Sequence, residues 1–77
     1  MGSKYPVLKP QVIIKVIESF GFVYKSQKGS HAKYVYEKEG NPTKTVIIPM
    51  HDEVAKGTLK SILVQAGLTL DEFMEKL

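Results

Sequence analysis

The chain has 77 residues, with eleven lysines, no arginine, eight acidic residues, two histidines and no cysteine, for a formal net charge of +3. That length holds one small domain, read as residues 1–77 with 1–5 a disordered or scar-derived start, and a core that buries roughly 60% of the unfolded surface. The missing cysteine excludes a disulfide scaffold, a thiol nucleophile and a thiolate metal site, and the mild positive charge permits a polyanionic partner without demanding one.

In chain order, Pro10 suits the first position of a helix, where its missing N–H is not needed. Val12, Ile13, Val16, Ile17 and Phe20 follow at helical spacing, and Gly21 sits where a terminating glycine belongs. From Phe22 the period changes. Phe22 to Ser26 reads as a short strand and Gln27-Lys28-Gly29-Ser30 as a turn. His31 to Glu37 alternates, with Ala32, Tyr34 and Tyr36 on one face and His31, Lys33, Val35 and Glu37 on the other.

Lys38 to Thr43 carries turn chemistry, and Lys44 to Met50 reads as a third strand with Pro49 near its end. Pairing Glu37 with Lys44 would set Met50 opposite His31, and a shift of one residue would set His51 there. After a polar loop, Thr58 reads as an N-cap for a helix carrying Leu59, Ile62, Leu63 and Ala66, closed by Gly67. Thr69-Leu70-Asp71-Glu72 fits a capping box for a last helix with Phe73, Met74 and Leu77. The expected fold is α+β, in the order α-β-β-β-α-α, with an antiparallel three-stranded sheet and its helices on one face. That layout resembles the double-stranded RNA-binding domain.

No apolar run approaches the ~20 residues of a membrane span, and no signal-peptide core is present. Met1-Gly2 meets Pro6 where myristoylation wants Ser or Thr, and Met1-Gly2-Ser3 reads equally well as an expression scar, so it is given no functional weight. The expected setting is cytoplasmic, with no membrane and no small-molecule cofactor. No phosphate-binding glycine loop and no His-x-x-x-His pair occur. His51-Asp52-Glu53 offers possible metal ligands, but adjacent residues rarely converge on one ion, so no metal is expected.

The chemistry concentrates between Lys25 and Lys33. Lys25, Lys28 and Lys33 surround Gly29-Ser30, a small-residue turn that delivers His31 to a strand start. The bland reading is a solvated basic hairpin. The sharper one is a phosphodiester site: Gly29 admits the backbone close to a phosphate, Ser30 and backbone N–H groups donate to it, the lysines supply charge, and His31 moves protons near neutral pH. Two tyrosines and an alanine outweigh Val35 in marking the buried face, so His31 is expected to be exposed. In either register His51 lies at the same end of the sheet, as an auxiliary group or a bystander.

These residues carry a resemblance. Gly21-Phe22, then Lys28-Gly29-Ser30-His31, then Ile48-Pro49-Met50-His51, then Gly57-Thr58-Leu59 with Ile62-Leu63 and Ala66-Gly67-Leu68, followed by Glu72-Phe73, resemble in order the signatures of the HicA toxin family. The match runs from about Pro6 to Leu77. It implies a small cytoplasmic endoribonuclease that cleaves mRNA, adopts the double-stranded RNA-binding-like fold and is held inactive by a HicB antitoxin. The family's catalytic histidine falls on His31 and the glycine of its motif on Gly29, while its second histidine falls on His51. Every cation here is lysine, so bidentate guanidinium contacts are unavailable. A non-catalytic RNA-binding module of the same fold, or an interaction protein that docks a partner on its sheet, remain the alternatives.

Overall fold

Pro10 starts α1 (Pro10–Ser19), preceded by an extended Lys9 that offers no side-chain cap. Ile13, Val16 and Ile17 turn inward, while Val12 stays partly exposed. The helix ends in a pair of bonds: the Gly21 N–H donates to the Glu18 carbonyl at 3.0 Å and the Phe22 N–H to the Ile17 carbonyl at 3.2 Å. This is a Schellman ending, with buried Phe22 and Ile17 in the positions of its hydrophobic contact. The structure, a computed structural model, describes residues 4–77; Met1-Gly2-Ser3, read above as a scar, lie outside them.

Strands β1 (Val23–Lys28), β2 (His31–Tyr36) and β3 (Lys44–Pro49) then form an antiparallel meander in the order β1-β2-β3. β1 is longer than its pattern predicts, because pairing continues to Lys28 and leaves Gly29-Ser30 alone as the turn. The register of β2 on β3 differs from both expected alignments: Tyr36 faces Lys44 and His31 faces Pro49. Glu37 stays out of the ladder. It joins the loop to Thr43, in which the Asn41 N–H turns back to the Lys38 carbonyl.

Past Met50, the Val54 N–H donates to the Leu8 carbonyl at 2.8 Å, and Val54 itself is buried. That anchorage lets α2 (Lys56–Ala66) begin directly, with Ala55 before its first turn. Thr58 is therefore inside the helix and not its N-cap, a correction to the sequence reading. Val64 and Leu63 carbonyls accept from Gly67 and Leu68 at its end. α3 (Leu70–Glu75) carries the expected capping box, with the Glu72 N–H donating to the Thr69 hydroxyl at 3.0 Å and the Thr69 N–H to the Glu72 carboxylate at 2.8 Å.

Ala32, Tyr34, Val46 and Ile48 from the sheet join Ile13, Val16 and Ile17 of α1, Leu59, Ile62, Leu63 and Ala66 of α2, and Phe73 of α3 in one core. All three helices thus cover a single sheet face, as expected, and the other face is left open. Tyr5 packs against this core from the start of the chain. Burial pushes the Tyr34 hydroxyl's pKa up, and Glu18 and Tyr24 add to the shift. Among the described residues no helix is long and apolar enough to cross a membrane.

Candidate active site

Two backbone features build the site. The first is the β1–β2 turn. Lys28 pairs with His31 across a two-residue loop, and Gly29 holds φ at +58° while Ser30 does not take a positive φ. A positive first residue followed by a negative second is the II′ pattern, which matches the twist of a hairpin and favours glycine in the first place. A Cβ built on Gly29 meets nothing within 4 Å. The glycine therefore serves the turn's conformation, and the space above it is open to a ligand.

The second feature is a bulge. Val23 faces Val35 and Tyr24 faces Tyr34, but Ser26, not Lys25, faces Lys33. Lys25 is the extra residue, unpaired across the ladder. In a regular strand Tyr24 and Lys28, four apart, would share a face. The bulge breaks that rule. Tyr24 stays with Tyr34 on the helix side, their rings edge to face at 5.7 Å, while Lys28 rises onto the open face beside His31. Bulges that re-aim a side chain recur beside active sites.

The open face is a grid of three rows. Lys28, His31 and Pro49 make the first, Ser26, Lys33 and Ile47 the second, and Val23, Val35 and Thr45 the third. His31, Lys28 and Lys33 are all exposed, and no carboxylate stands in these rows. Val35 is buried on this face, apart from the main core, between its cross-strand neighbours Val23 and Thr45. Its burial signals the crowded middle of a central strand, not an inward direction.

Of the sequence-predicted site residues, the structure thus gathers Lys28, Gly29, Ser30, His31 and Lys33, and leaves Lys25 at the bulge. His51 follows closely. The Met50 N–H donates to the Ser30 carbonyl at 2.6 Å, which carries the β2–β3 pairing one step past His31 and sets His51 just beyond, at the turn. Its Nδ1 lies 3.5 Å from the Asp52 carboxylate, with both side chains well exposed, a contact that contributes little to stability. Asp52 has φ +49°, a left-handed conformation that Asp tolerates better than most residues. Among the described residues no three His, Cys, Asp or Glu side chains gather as a metal site.

The feature the sequence reading missed is the bulge. Its one visible signal was the contrast between an aromatic Tyr24 and a cationic Lys28 at positions that should share a face.

A family model described as HicA toxin of bacterial toxin-antitoxin matches residues 11–68, three quarters of the chain. No curated protein matches it.

Proposed function

The chain belongs to the HicA toxin family, the toxin side of bacterial toxin–antitoxin pairs, and from that premise we propose that it is a metal-independent endoribonuclease acting on mRNA in the cytoplasm. Its partner is a HicB-type antitoxin. The observation that carries this reading is the placement of His31. It is an exposed imidazole at a strand start, flanked by Lys28 across the ladder and Lys33 two residues along, above a turn with open space over Gly29.

Neutral His31 takes the proton from a ribose 2′-hydroxyl. The 2′-oxygen attacks the adjacent phosphorus and displaces the 5′-oxygen, which leaves with a proton from a general acid. The products are a 2′,3′-cyclic phosphate and a 5′-hydroxyl. Lys28 and Lys33 hold the phosphate and offset the negative charge that builds on it, with Gly29 and Ser30 backbone N–H groups as further donors. Lys25 at the bulge adds charge at longer range, and His51, beside the same turn, is the auxiliary candidate for the acid. RNA is required because its 2′-hydroxyl is the nucleophile.

The test is RNA cleavage by purified protein, with and without excess chelator, beside the His31→Ala variant. We expect cleavage to persist in chelator, His31→Ala to abolish it, and the variant's thermal midpoint to stay within about 2–4 °C (about 0.5 kcal/mol), as befits an exposed side chain. Loss of cleavage in chelator that a divalent ion restores overturns the metal-free mechanism. Unfolding of His31→Ala overturns the site assignment.

A further inference from the structure

The grid on the open sheet face has two halves, and the reaction above uses only one. Lys28, His31 and Lys33 form the cationic half. Beside and beyond them lies an apolar half: Ile47, 37% exposed in the row of Lys33, and then the row of Val23, 57% exposed, the buried Val35 as a floor and the exposed Thr45. We propose that this apolar half is a nucleobase seat that binds one unstacked base next to the scissile phosphate, making the protein selective for single-stranded RNA. The inference rests on the proposed RNA cleavage and assigns it a substrate-binding site.

Three observations converge on a base. The first is distance: along β2 and β3 successive rows are two residues apart, about 7 Å in an antiparallel strand, so Ile47 lies one row from His31 and Val35 two rows, about 14 Å. One nucleotide step covers the first gap and the length of the base itself reaches across the second, so a phosphate held at the His31 row brings its neighbouring base over Ile47 and toward Val35. The second is chemical demand. The 2′-oxygen must lie in line with phosphorus and the departing 5′-oxygen, and stacked A-form backbone holds it off that line. A cleavable nucleotide is an unstacked one, and its exposed base needs a surface; single-stranded RNA is generally read by such splayed bases. The third is complementarity. The seat adjoins a cationic strip without carboxylates, and Ser26 and Thr45 stand in its rows with hydroxyls to offer a base edge.

A protein strand fits less well. On the β3 edge the Ile47 N–H already donates to the Gln65 side-chain oxygen at 3.2 Å, and on the β1 edge the bulge at Lys25 interrupts the ladder that an added strand would extend. Both edges of the sheet are thus guarded while its face is open.

The test compares the full chain with a Val23→Ser/Ile47→Ser double variant and a conservative Val23→Ile/Ile47→Val variant. The substrates are a mixed-sequence single-stranded RNA, the same RNA annealed to its complement, and one with an abasic residue beside the mapped cleavage site. The serine variant should raise KM for the single strand about tenfold, the expected size of two partly exposed aliphatic contacts, with kcat nearly preserved and the cleavage-site profile broadened. The conservative variant should restore KM, the abasic substrate should show the same penalty with the wild-type protein, and the duplex should resist cleavage. Unchanged KM and profile in the serine variant, with His31→Ala still inactive, overturn the seat and leave the catalytic site standing. Normal RNA kinetics with weakened antitoxin inhibition would overturn it too, by making this half of the face a protein dock. Activity in His31→Ala would instead overturn the underlying reading.

Discussion

Gly21 and Gly29 both hold positive φ, at +105° and +58°, yet they answer to different constraints. Gly29 holds the first position of the II′ turn, where a positive φ favours glycine, and a built Cβ there meets nothing within 4 Å. An alanine there meets only the backbone penalty of roughly 1–2 kcal/mol. Gly21 carries a backbone penalty too, and its Cβ would also come to 3.0 Å from the Tyr36 ring. That ring cannot easily retreat, since it packs on Phe22 at 5.6 Å and Lys44 stands 5.3 Å from its centre. Gly21→Ala should therefore cost more than Gly29→Ala, on the order of 3 kcal/mol when strain and steric displacement add. Urea unfolding of the two variants checks the ranking. The functional ranking should reverse, because Gly29→Ala alters the turn that delivers His31 and narrows the space above it, while Gly21 lies at the far end of the sheet. Equal losses of stability would mean that Tyr36 yields freely to the new methyl group.

Among the helices, the two that follow the sheet begin in opposite ways. α3 starts with a complete capping box at Thr69 and Glu72, whereas Ala55 at the start of α2 provides no side-chain cap. Ala55 and the first three residues of α2 are exposed and Ala55 offers no cap, so Ala55→Asp should stabilise the protein by about 1 kcal/mol by capping the first-turn N–H groups and complementing the helix dipole. Thr58→Ala should be nearly neutral, because Thr58 is exposed inside the first turn. Thermal melts of both variants decide the matter, and a large loss from Thr58→Ala would restore it as the cap. The contrast also shows what could be read in advance. Thr69 was legible because its partner Glu72 lies three residues away, a purely local relation. Thr58 misled because α2 starts where the Leu8–Val54 bond anchors the chain, a contact across more than forty residues that no local pattern records. The same division separates the open-face histidine from the bulge. Alternation along β2 alone placed His31 correctly, but the face of Lys28 depends on how β1 skips Lys25 against another strand.

For the molecule as a whole, helices on one sheet face and a cationic strip on the other separate the core from the proposed site. The core draws on Ala32, Tyr34, Val46 and Ile48 from the sheet's inner face; the residues proposed to act on RNA project from its outer face and can change without touching that core. The exact register was not legible, since the length of the Glu37–Thr43 loop sets it, but the proximity of His51 to the His31 turn survives any such shift and held. This separation also shapes how an antitoxin can restrain the protein. An inhibitor that covers the outer face blocks phosphate entry and His31 together, and one with an acidic patch is steered there by Lys28 and Lys33, which no carboxylate in the grid offsets. The competing arrangement, an inhibitor gripping the helices, leaves that strip in water. Reversing both charges, Lys28→Glu with Lys33→Glu, turns the chain from net positive to net negative and leaves the buried residues untouched, so folding should be preserved. Cleavage should fall at least a hundredfold, because phosphate binding and charge stabilisation are lost together. Antitoxin binding should weaken mainly through an association rate lowered about tenfold at low salt, with the difference shrinking as salt screens the field. Stopped-flow association at two ionic strengths, beside an RNA cleavage assay, measures both arms. Cleavage lost with association unchanged would place the antitoxin on the helix side, and direct occlusion of His31 would no longer account for the inhibition.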